Sequence, residues 1–194
     1  MENKKHIITI AGRPGSGKSS TGKNVAKNLE YKHFSTGDFF RTLAKEKGLS
    51  VTELNHLAEQ DSTIDQEIDA QSRNLRDEEG IVLDSRMAFH FIPDSFKVYL
   101  KIDPDISIQR IFKDAQVNED RKSSEVSYTD IKHVEEEMVA RYNSENKRYK
   151  TLYDADPSNL ENYDLVIDTG LPANNLDTVV KGITSEYHKW LASD

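Results

Sequence analysis

The most constraining feature of the sequence is a glycine-rich segment near its start. Gly12 is followed by four residues and then by Gly17, Lys18 and Ser19. Residues 6–11 before it predict a buried parallel strand, and residues 17–29 after it predict a helix. Glycines let backbone N–H groups turn toward an anion, and the helix N-terminus adds partial positive charge. This spacing therefore predicts a loop that binds the phosphates of a nucleoside triphosphate.

Particular residues of this loop and one distant aspartate predict how the phosphates are held. Lys18 is expected to reach the outer phosphates, and the Ser19 hydroxyl is expected to bind Mg²⁺. Asp84 follows the predicted strand 81–83, and a carboxylate at such a strand end also binds Mg²⁺, directly or through water. An ordinary strand-end aspartate is the alternative for Asp84. The predicted phosphate-binding segment comprises Gly12, Arg13, Pro14, Gly15, Ser16, Gly17, Lys18, Ser19 and Ser20.

Strands and helices alternate along the rest of the chain. Further strands are predicted at residues 32–35, 81–84, 96–102 and 164–168. Helices are predicted at residues 37–47, after Ser50, through a stretch bearing Ile64, Ile68, Gln71 and Leu75 on one face, after Asp103, at residues 129–153 and from about residue 175. The alternation predicts an α/β fold of three layers, α/β/α, with a five-stranded parallel sheet.

The chain is expected to form one domain with two excursions from its core. A helical insert covers about residues 36–79. The polar residues 114–128 lack apolar periodicity and predict either a solvated loop or a mobile lid, and the lid is placed at about residues 113–130. A length of 194 residues suits a single compact domain.

Charge and composition exclude several classes of partner. The formal net charge of −8 disfavours general binding to nucleic acid, whose phosphate backbone would be repelled. The sequence contains no cysteine and no apolar run long enough to span a membrane or to form a signal core. We therefore expect a cytoplasmic protein that is monomeric and binds neither membranes nor nucleic acid.

A second motif suggests a family. Residues 35–41, Ser-Thr-Gly-Asp-Phe-Phe-Arg, resemble the Ser-Thr-Gly-Asp-x-x-Arg segment of nucleoside monophosphate kinases. The wider chain resembles the short, archaeal-type cytidylate kinases in residues 41–48, 61–71, 82–86, 145–153 and 163–169. The resemblance implies a phosphate-loop kinase fold with an insert that binds the monophosphate (NMP). It also implies transfer of the γ-phosphoryl group of ATP to CMP or dCMP, with Mg²⁺.

The resemblance also assigns roles to cationic residues outside the loop. Arg41 and Arg86 would bind the acceptor phosphate, and Arg110 would border the adenine of ATP. Arg141 and Arg148 would reach the transferring phosphoryl group, so the implied catalytic set is Lys18, Arg86, Arg141 and Arg148. A spacing of seven residues places the last two on one helix face, with Glu145 between them to orient an arginine or meet the ribose.

The acceptor side is less well determined. Thr36 is expected to donate a hydrogen bond to the acceptor nucleotide, or alternatively to cap a helix. Asp65 and Arg73 lie in the insert and are assigned to cytosine recognition. Bacterial cytidylate kinases carry an aspartate where Met87 stands here, so this position does not support a preference for cytosine.

The lid and the acceptor leave further alternatives open. The second lid arginine of the family is replaced by Lys113-Asp114, for which Arg121 is a candidate substitute. If the acceptor carried a hydroxyl, Asp38 would be its base. An adenylate- or uridylate-type kinase and an RNA-associated ATPase are also compatible with the loop. The histidines are interpreted as structural or surface residues, and Val134, Met138 and Tyr142 as core.

Overall fold

The computed structural model describes residues 4–117 and 130–193. Its strands are β1 Ile7–Gly12, β2 Lys32–Ser35, β3 Ile81–Asp84, β4 Phe96–Lys101 and β5 Leu165–Asp168. Its helices are α1 Lys18–Leu29, α2 Thr36–Glu46, α3 Val51–Gln60, α4 Ser62–Asn74, α5 Ala88–Phe91, α6 Pro104–Val117, α7 Ile131–Tyr153 and α8 Leu176–Ala192, with single 3₁₀ turns at Leu75–Asp77 and Leu160–Asn162.

The five strands form one parallel sheet in the order β2-β3-β1-β4-β5. The strand β1 lies at its centre and is buried along its whole length, which explains its continuous apolar and β-branched sequence. Asp84 pairs in register with Ile10 on one side and Ser35 on the other. The carboxyl ends of β1, β2 and β3 therefore meet at one edge, where ligands of parallel α/β sheets bind.

Apolar side chains cover both faces of the sheet. Alternate residues of β1, such as Ile8 and Ile10, pack with side chains of α1 and α8, including Val25 and Ile183. Residues on the opposite face pack with α5 and with Tyr149 and Tyr153 of α7. These packed faces form the predicted α/β/α layers, and the fold prediction is confirmed.

The insert has a small apolar core of its own. Buried side chains of α2, α3 and α4, among them Leu43, Leu54 and Ile68, pack together. Ser50 and Glu53 form a capping box that begins α3. The prediction for α4 was wrong at Gln71, which is exposed, because the buried face of this helix also contains the polar residues Asp65 and Asp69.

The segment predicted as a lid is helical at its start. Helix α6 continues to Val117, so residues 113–117 belong to a helix, and its first turn is capped by Asp103 as predicted. The remainder of the predicted lid, including Arg121, lies outside the described residues apart from Asp130, which caps α7. None of the helices in residues 4–117 and 130–193 is long and apolar enough to cross a bilayer.

Candidate active site

The loop between β1 and α1 has a backbone that only glycine accommodates at two positions. Gly12 has φ +146°, and a Cβ there would lie 2.4 Å from the carbonyl oxygen of Leu100. Gly15 has φ +74°, and a Cβ there would lie 2.8 Å from the carbonyl oxygen of Ser107. The Ser107 hydroxyl also donates a hydrogen bond of 2.6 Å to the Pro14 carbonyl oxygen. Close contacts with β4 and α6 therefore fix the shape of the loop.

Lys18 begins α1 directly after the loop. Its ammonium group donates hydrogen bonds to the carbonyl oxygens of Gly12 at 2.8 Å and Arg13 at 2.9 Å. Burial lowers the pKa of Lys18 to about 7, and the neighbouring Arg86 adds to this effect, while Asp84 opposes it. The position of Lys18 therefore favours a negatively charged ligand, which would restore the stability of the ammonium form.

A cavity of about 460 Å³ opens above the loop. It brings together many of the predicted site residues, namely Pro14, Gly15, Gly17, Lys18, Ser19, Ser20, Thr36, Arg41, Asp84, Arg86, Arg110 and Arg141. Lys113 and Asp114, at the position of the altered lid arginine, also line it. Gly12, Arg13 and Ser16 belong to the loop but are not among its described lining residues, and neither are Asp65, Arg73 and Arg148.

Asp84 lies at the cavity wall with both carboxylate oxygens hydrogen-bonded. His33 Nε2 lies 3.0 Å from Oδ2, and the Ser35 hydroxyl donates to Oδ1 at 3.0 Å. Burial opposes ionisation of Asp84, but the hydrogen bond from His33 and the charge of Lys18 outweigh it and lower the pKa of this carboxyl. His33 was predicted as structural or surface, and its contact with Asp84 was missed.

The donor groups at this wall fit Mg²⁺. The Ser19 hydroxyl and the Asp84 carboxylate both line the cavity beside Lys18, and both offer oxygen, which Mg²⁺ prefers. The described residues contain no cluster of three or more acidic, histidine or cysteine side chains that could hold a metal alone. Mg²⁺ is usually bound by one or two protein oxygens together with water and substrate phosphates, and Ser19 and Asp84 supply two such oxygens at this wall.

Two arginines of the cavity share one carboxylate. Arg86 donates to Glu145 Oε1 at 2.8 Å, and Arg141 donates to the same oxygen at 2.9 Å. Burial opposes ionisation of Glu145, but the two guanidinium groups outweigh it and lower its pKa. Glu145 is therefore an anion that joins the sheet edge to α7, and the predicted orientation of an arginine by Glu145 is observed.

Arg148 is placed elsewhere, contrary to the expectation that it shares a cavity with Arg141. Its Nε donates to Asp65 at 2.7 Å, and its other nitrogens donate to Ser144 at 2.5 Å and Asn55 at 3.2 Å. Arg148 is 7% exposed. The spacing of seven residues correctly placed Arg141 and Arg148 on the same helix. The Arg148 side chain, however, is bound by Asp65 of α4 and not directed into the cavity. Asn55 and Ser144 were not recognised from the sequence.

The residues assigned to the acceptor base lie on α4, and neither is among the described residues that line the cavity above the loop. Asp65 is bound to Arg148, and the Arg73 guanidinium stacks on the Phe91 ring with 4.6 Å to its centroid. Met87 is buried in the apolar cluster beside β3. The sequence assignment of Asp65 and Arg73 to cytosine therefore stays a prediction.

The acceptor-side residues of α2 have defined partners. The N-cap of α2 is Ser35, which corrects the alternative role suggested for Thr36; the Thr36 hydroxyl instead lies 3.4 Å from the Asp84 carbonyl oxygen. Asp38 forms an ion pair with Arg41. This contact holds Asp38 on the surface of the helix, and Asp38 is not among the described residues lining the cavity.

The loop and α7 also touch directly. The Arg13 guanidinium stacks on the Tyr142 ring, 4.4 Å from its centroid. Of the three α7 residues interpreted as core, Val134 is buried, and Met138 packs against the same apolar cluster and also lines the cavity. Arg110, which also lines the cavity, donates to the Thr169 carbonyl oxygen at 2.7 Å. The helix α7 therefore forms part of the site as well as of the core.

Solved structures share this architecture. The shikimate kinase of Bacteroides thetaiotaomicron is similar with a TM-score of 0.61 at 12% identity, covering 96% of this chain and 98% of that one. The gluconokinase of Sinorhizobium meliloti is similar with a TM-score of 0.57 at 13% identity, covering 98% and 100%. At these identities the likeness shows the kinase fold alone.

Sequence comparison identifies the family. The cytidylate kinase of Methanothrix thermoacetophila is 37% identical over 164 residues, covering 84% of this chain and 88% of that protein. The cytidylate kinase of Methanocaldococcus jannaschii is 33% identical over 169 residues, covering 84% and 88%. A family model for the cytidylate kinase-like family matches residues 7–171. The chain therefore belongs to the cytidylate kinase-like family.

Proposed function

We propose that the protein transfers the γ-phosphoryl group of ATP to CMP or dCMP, giving ADP and CDP or dCDP. The observation that carries this proposal is one cavity in which Lys18, Arg41, Arg86 and Arg141 converge. Two polyanions repel each other, and cations placed between them offset that repulsion as the phosphoryl group moves. Relatives named cytidylate kinase supply the acceptor.

A hydroxyl acceptor, unlike a monophosphate, would need a general base in the cavity. No histidine is among its described lining residues, and the carboxylates there are Asp84 and Asp114. A monophosphate acceptor requires no general base, because its phosphate has a second pKa of about 6 and is largely ionised near neutral pH. Its oxygen forms a bond to the γ-phosphorus of ATP while the bond to the bridging oxygen of ADP breaks.

The residues divide into a donor half and an acceptor half. The loop and Lys18 would bind the ATP phosphates, with Arg110 near the adenine. Mg²⁺, held through Ser19 and Asp84, would neutralise phosphate charge. Arg41, Arg86 and Thr36 would bind the acceptor, and Arg141 would stabilise the transferring group. Within a single domain, the insert and the lid would exclude water from the phosphoryl group.

Steady-state kinetics with CMP, dCMP, UMP, AMP and GMP test the acceptor. With ATP and Mg²⁺ saturating, we expect kcat/KM to be highest for CMP or dCMP. A matched Lys18→Met variant should lose transfer to every acceptor by about a hundredfold or more, which excludes a contaminating kinase. Faster phosphorylation of UMP, AMP or GMP than of both cytidine nucleotides would contradict the assignment.

A further inference from the structure

His33 is an edge-strand residue whose side chain is turned inward. The strand β2 lies at the sheet edge, yet only 13% of the His33 side chain is exposed. Its Nε2 lies 3.0 Å from Asp84 Oδ2, and Ser35 donates to the other carboxylate oxygen. Because an ionised carboxylate only accepts hydrogen bonds, Nε2 carries the hydrogen. Residues two apart in a strand share a face, so β2 supplies both donors.

Gly22 provides the space for this contact. It lies inside α1, where glycine is the least favourable residue apart from proline. A Cβ on Gly22 would lie 2.8 Å from His33 Nε2 and 2.9 Å from its Cδ2, closer than such atoms approach in proteins. An alanine here would therefore push the imidazole away from Asp84. Helix α1 therefore contains glycine, an unfavourable helical residue, at the position where the His33 ring packs against it.

We propose that His33 is a positioning residue for Asp84, and that Gly22 lacks a side chain so that His33 can reach this carboxylate. This inference rests on the proposed function, in which Asp84 helps to hold the Mg²⁺ of Mg·ATP. Donors on both oxygens fix the orientation of the carboxylate before the metal binds. Hydrogen-bonded partners of metal ligands typically raise metal affinity in this way.

The first test is a thermal-stability cycle that needs neither nucleotide nor metal. We compare Gly22→Ala and His33→Ala, alone and together, with Gly182→Ala as the control. Gly182 lies inside α8, and its Cβ would meet only Ile167 Cδ1 at 3.9 Å, an ordinary contact. Since alanine favours helix, the control should raise Tm by about 2–4 °C.

The cycle separates crowding of His33 from any other effect at Gly22. In the chain with His33, Gly22→Ala should lower Tm, because the new methyl group displaces the imidazole from Asp84. In the His33→Ala background the same substitution should raise Tm by about as much as the control. An equal change of Tm in both backgrounds would overturn the proposed role of Gly22.

The second test measures metal binding. Calorimetry gives the Kd of a non-hydrolysable ATP analogue with EDTA and with Mg²⁺. The Kd with EDTA divided by the Kd with Mg²⁺ reports how much the metal strengthens binding. His33→Leu should reduce this ratio about tenfold. His33→Gln, whose amide can still donate to Asp84, should retain most of it. Gly22→Ala should reduce the ratio while leaving His33 in the chain.

The outcomes are distinct from those that test the acceptor. A purely structural His33 would change Tm and leave the Kd ratio as in the unmodified protein for all three variants, and that result would overturn the proposal. A preference for another monophosphate would refute the proposed substrate but would leave the Tm cycle and the metal ratio unaffected, because neither measurement contains an acceptor.

Discussion

The two arginine–carboxylate pairs of α7 have the same chemistry in different surroundings. Arg141 donates to Glu145 and lines the cavity of about 460 Å³ above the phosphate loop. Arg148, seven residues later, donates to Asp65 and is enclosed by α3, α4 and its own helix. The first pair borders this cavity, whereas the second joins α4 of the insert to α7. The two arginines therefore differ in what faces them, an open cavity for Arg141 and the helices α3 and α4 for Arg148.

The largest expected effect comes from breaking the enclosed pair. Arg148→Gln leaves Asp65 buried without its cation, which costs about 3–5 kcal/mol in comparable buried pairs. Denaturant unfolding should show this loss in the free energy of unfolding. Measured well below the melting temperature, kcat should fall by less than in a variant of Arg141.

A paired control separates the charge from the volume of the side chains. Replacing both partners, Arg148→Met with Asp65→Leu, removes the uncompensated charge and should recover much of the lost stability. If instead Arg148→Gln is stable and inactive, the role predicted from the sequence is correct, and the enclosed position describes a state that changes when substrates bind.

Arg141 should show the opposite pattern. Arg141→Gln removes a cation from the cavity, so we expect kcat to fall by about a hundredfold or more, as when one preorganised electrostatic group is lost. The free energy of unfolding should change by less than about 1 kcal/mol, because Glu145 keeps Arg86 as a partner. A large stability loss with normal kcat would remove the distinction between the two pairs.

The same contrast explains what the sequence could predict. The phosphate loop, the sheet and the position of Asp84 follow from local patterns, namely glycine spacing and alternating strands and helices. Helical periodicity correctly placed Arg141, Glu145 and Arg148 along one helix. It could not show that Asp65, 83 positions earlier, would bind Arg148, because that contact depends on how the insert packs on α7.

His33 was missed for a related reason. The spacing of two residues between His33 and Ser35 was visible in the sequence. The partner of His33, Asp84, is 51 positions away, and the space for the imidazole depends on Gly22 of α1, which no sequence motif marked. Gln71 was placed wrongly on the buried face of α4 because apolar periodicity gives no signal for buried acids. Partner choice between distant elements was therefore the least predictable part of the site.

A pH experiment sharpens the contrast within α4, where Asp65 has a cation and Asp69 accepts from the Tyr153 hydroxyl at 2.6 Å. Burial raises the pKa of Asp69 to about 6 from 3.8. Since the folded state holds this proton more tightly, the resulting stability is full below about pH 4 and is lost as pH rises through about 6.

Asp69→Asn removes this titration while keeping an oxygen to accept from Tyr153. Relative to the unmodified protein, the variant should be equally stable near pH 4 and more stable at pH 7.5, by up to about 2–3 kcal/mol. Urea unfolding across this range measures the difference. A difference that does not vary with pH would show that folding does not raise the pKa of Asp69.

The smallest expected effect tests the carboxylate that joins the cavity arginines. Glu145→Gln keeps an oxygen that can accept from Arg86 and Arg141 but removes the charge that holds both guanidinium groups. We expect kcat to fall about tenfold, or about 1.4 kcal/mol, because the arginines lose their fixed geometry. Affinity for ATP alone should stay equal or increase, since the cavity becomes more positive. Weaker ATP binding with unchanged kcat would mean that Glu145 contributes to nucleotide binding and not to the geometry of the arginines during phosphoryl transfer. The Arg141–Glu145 pair would then have no catalytic role to distinguish it from the enclosed Arg148–Asp65 pair.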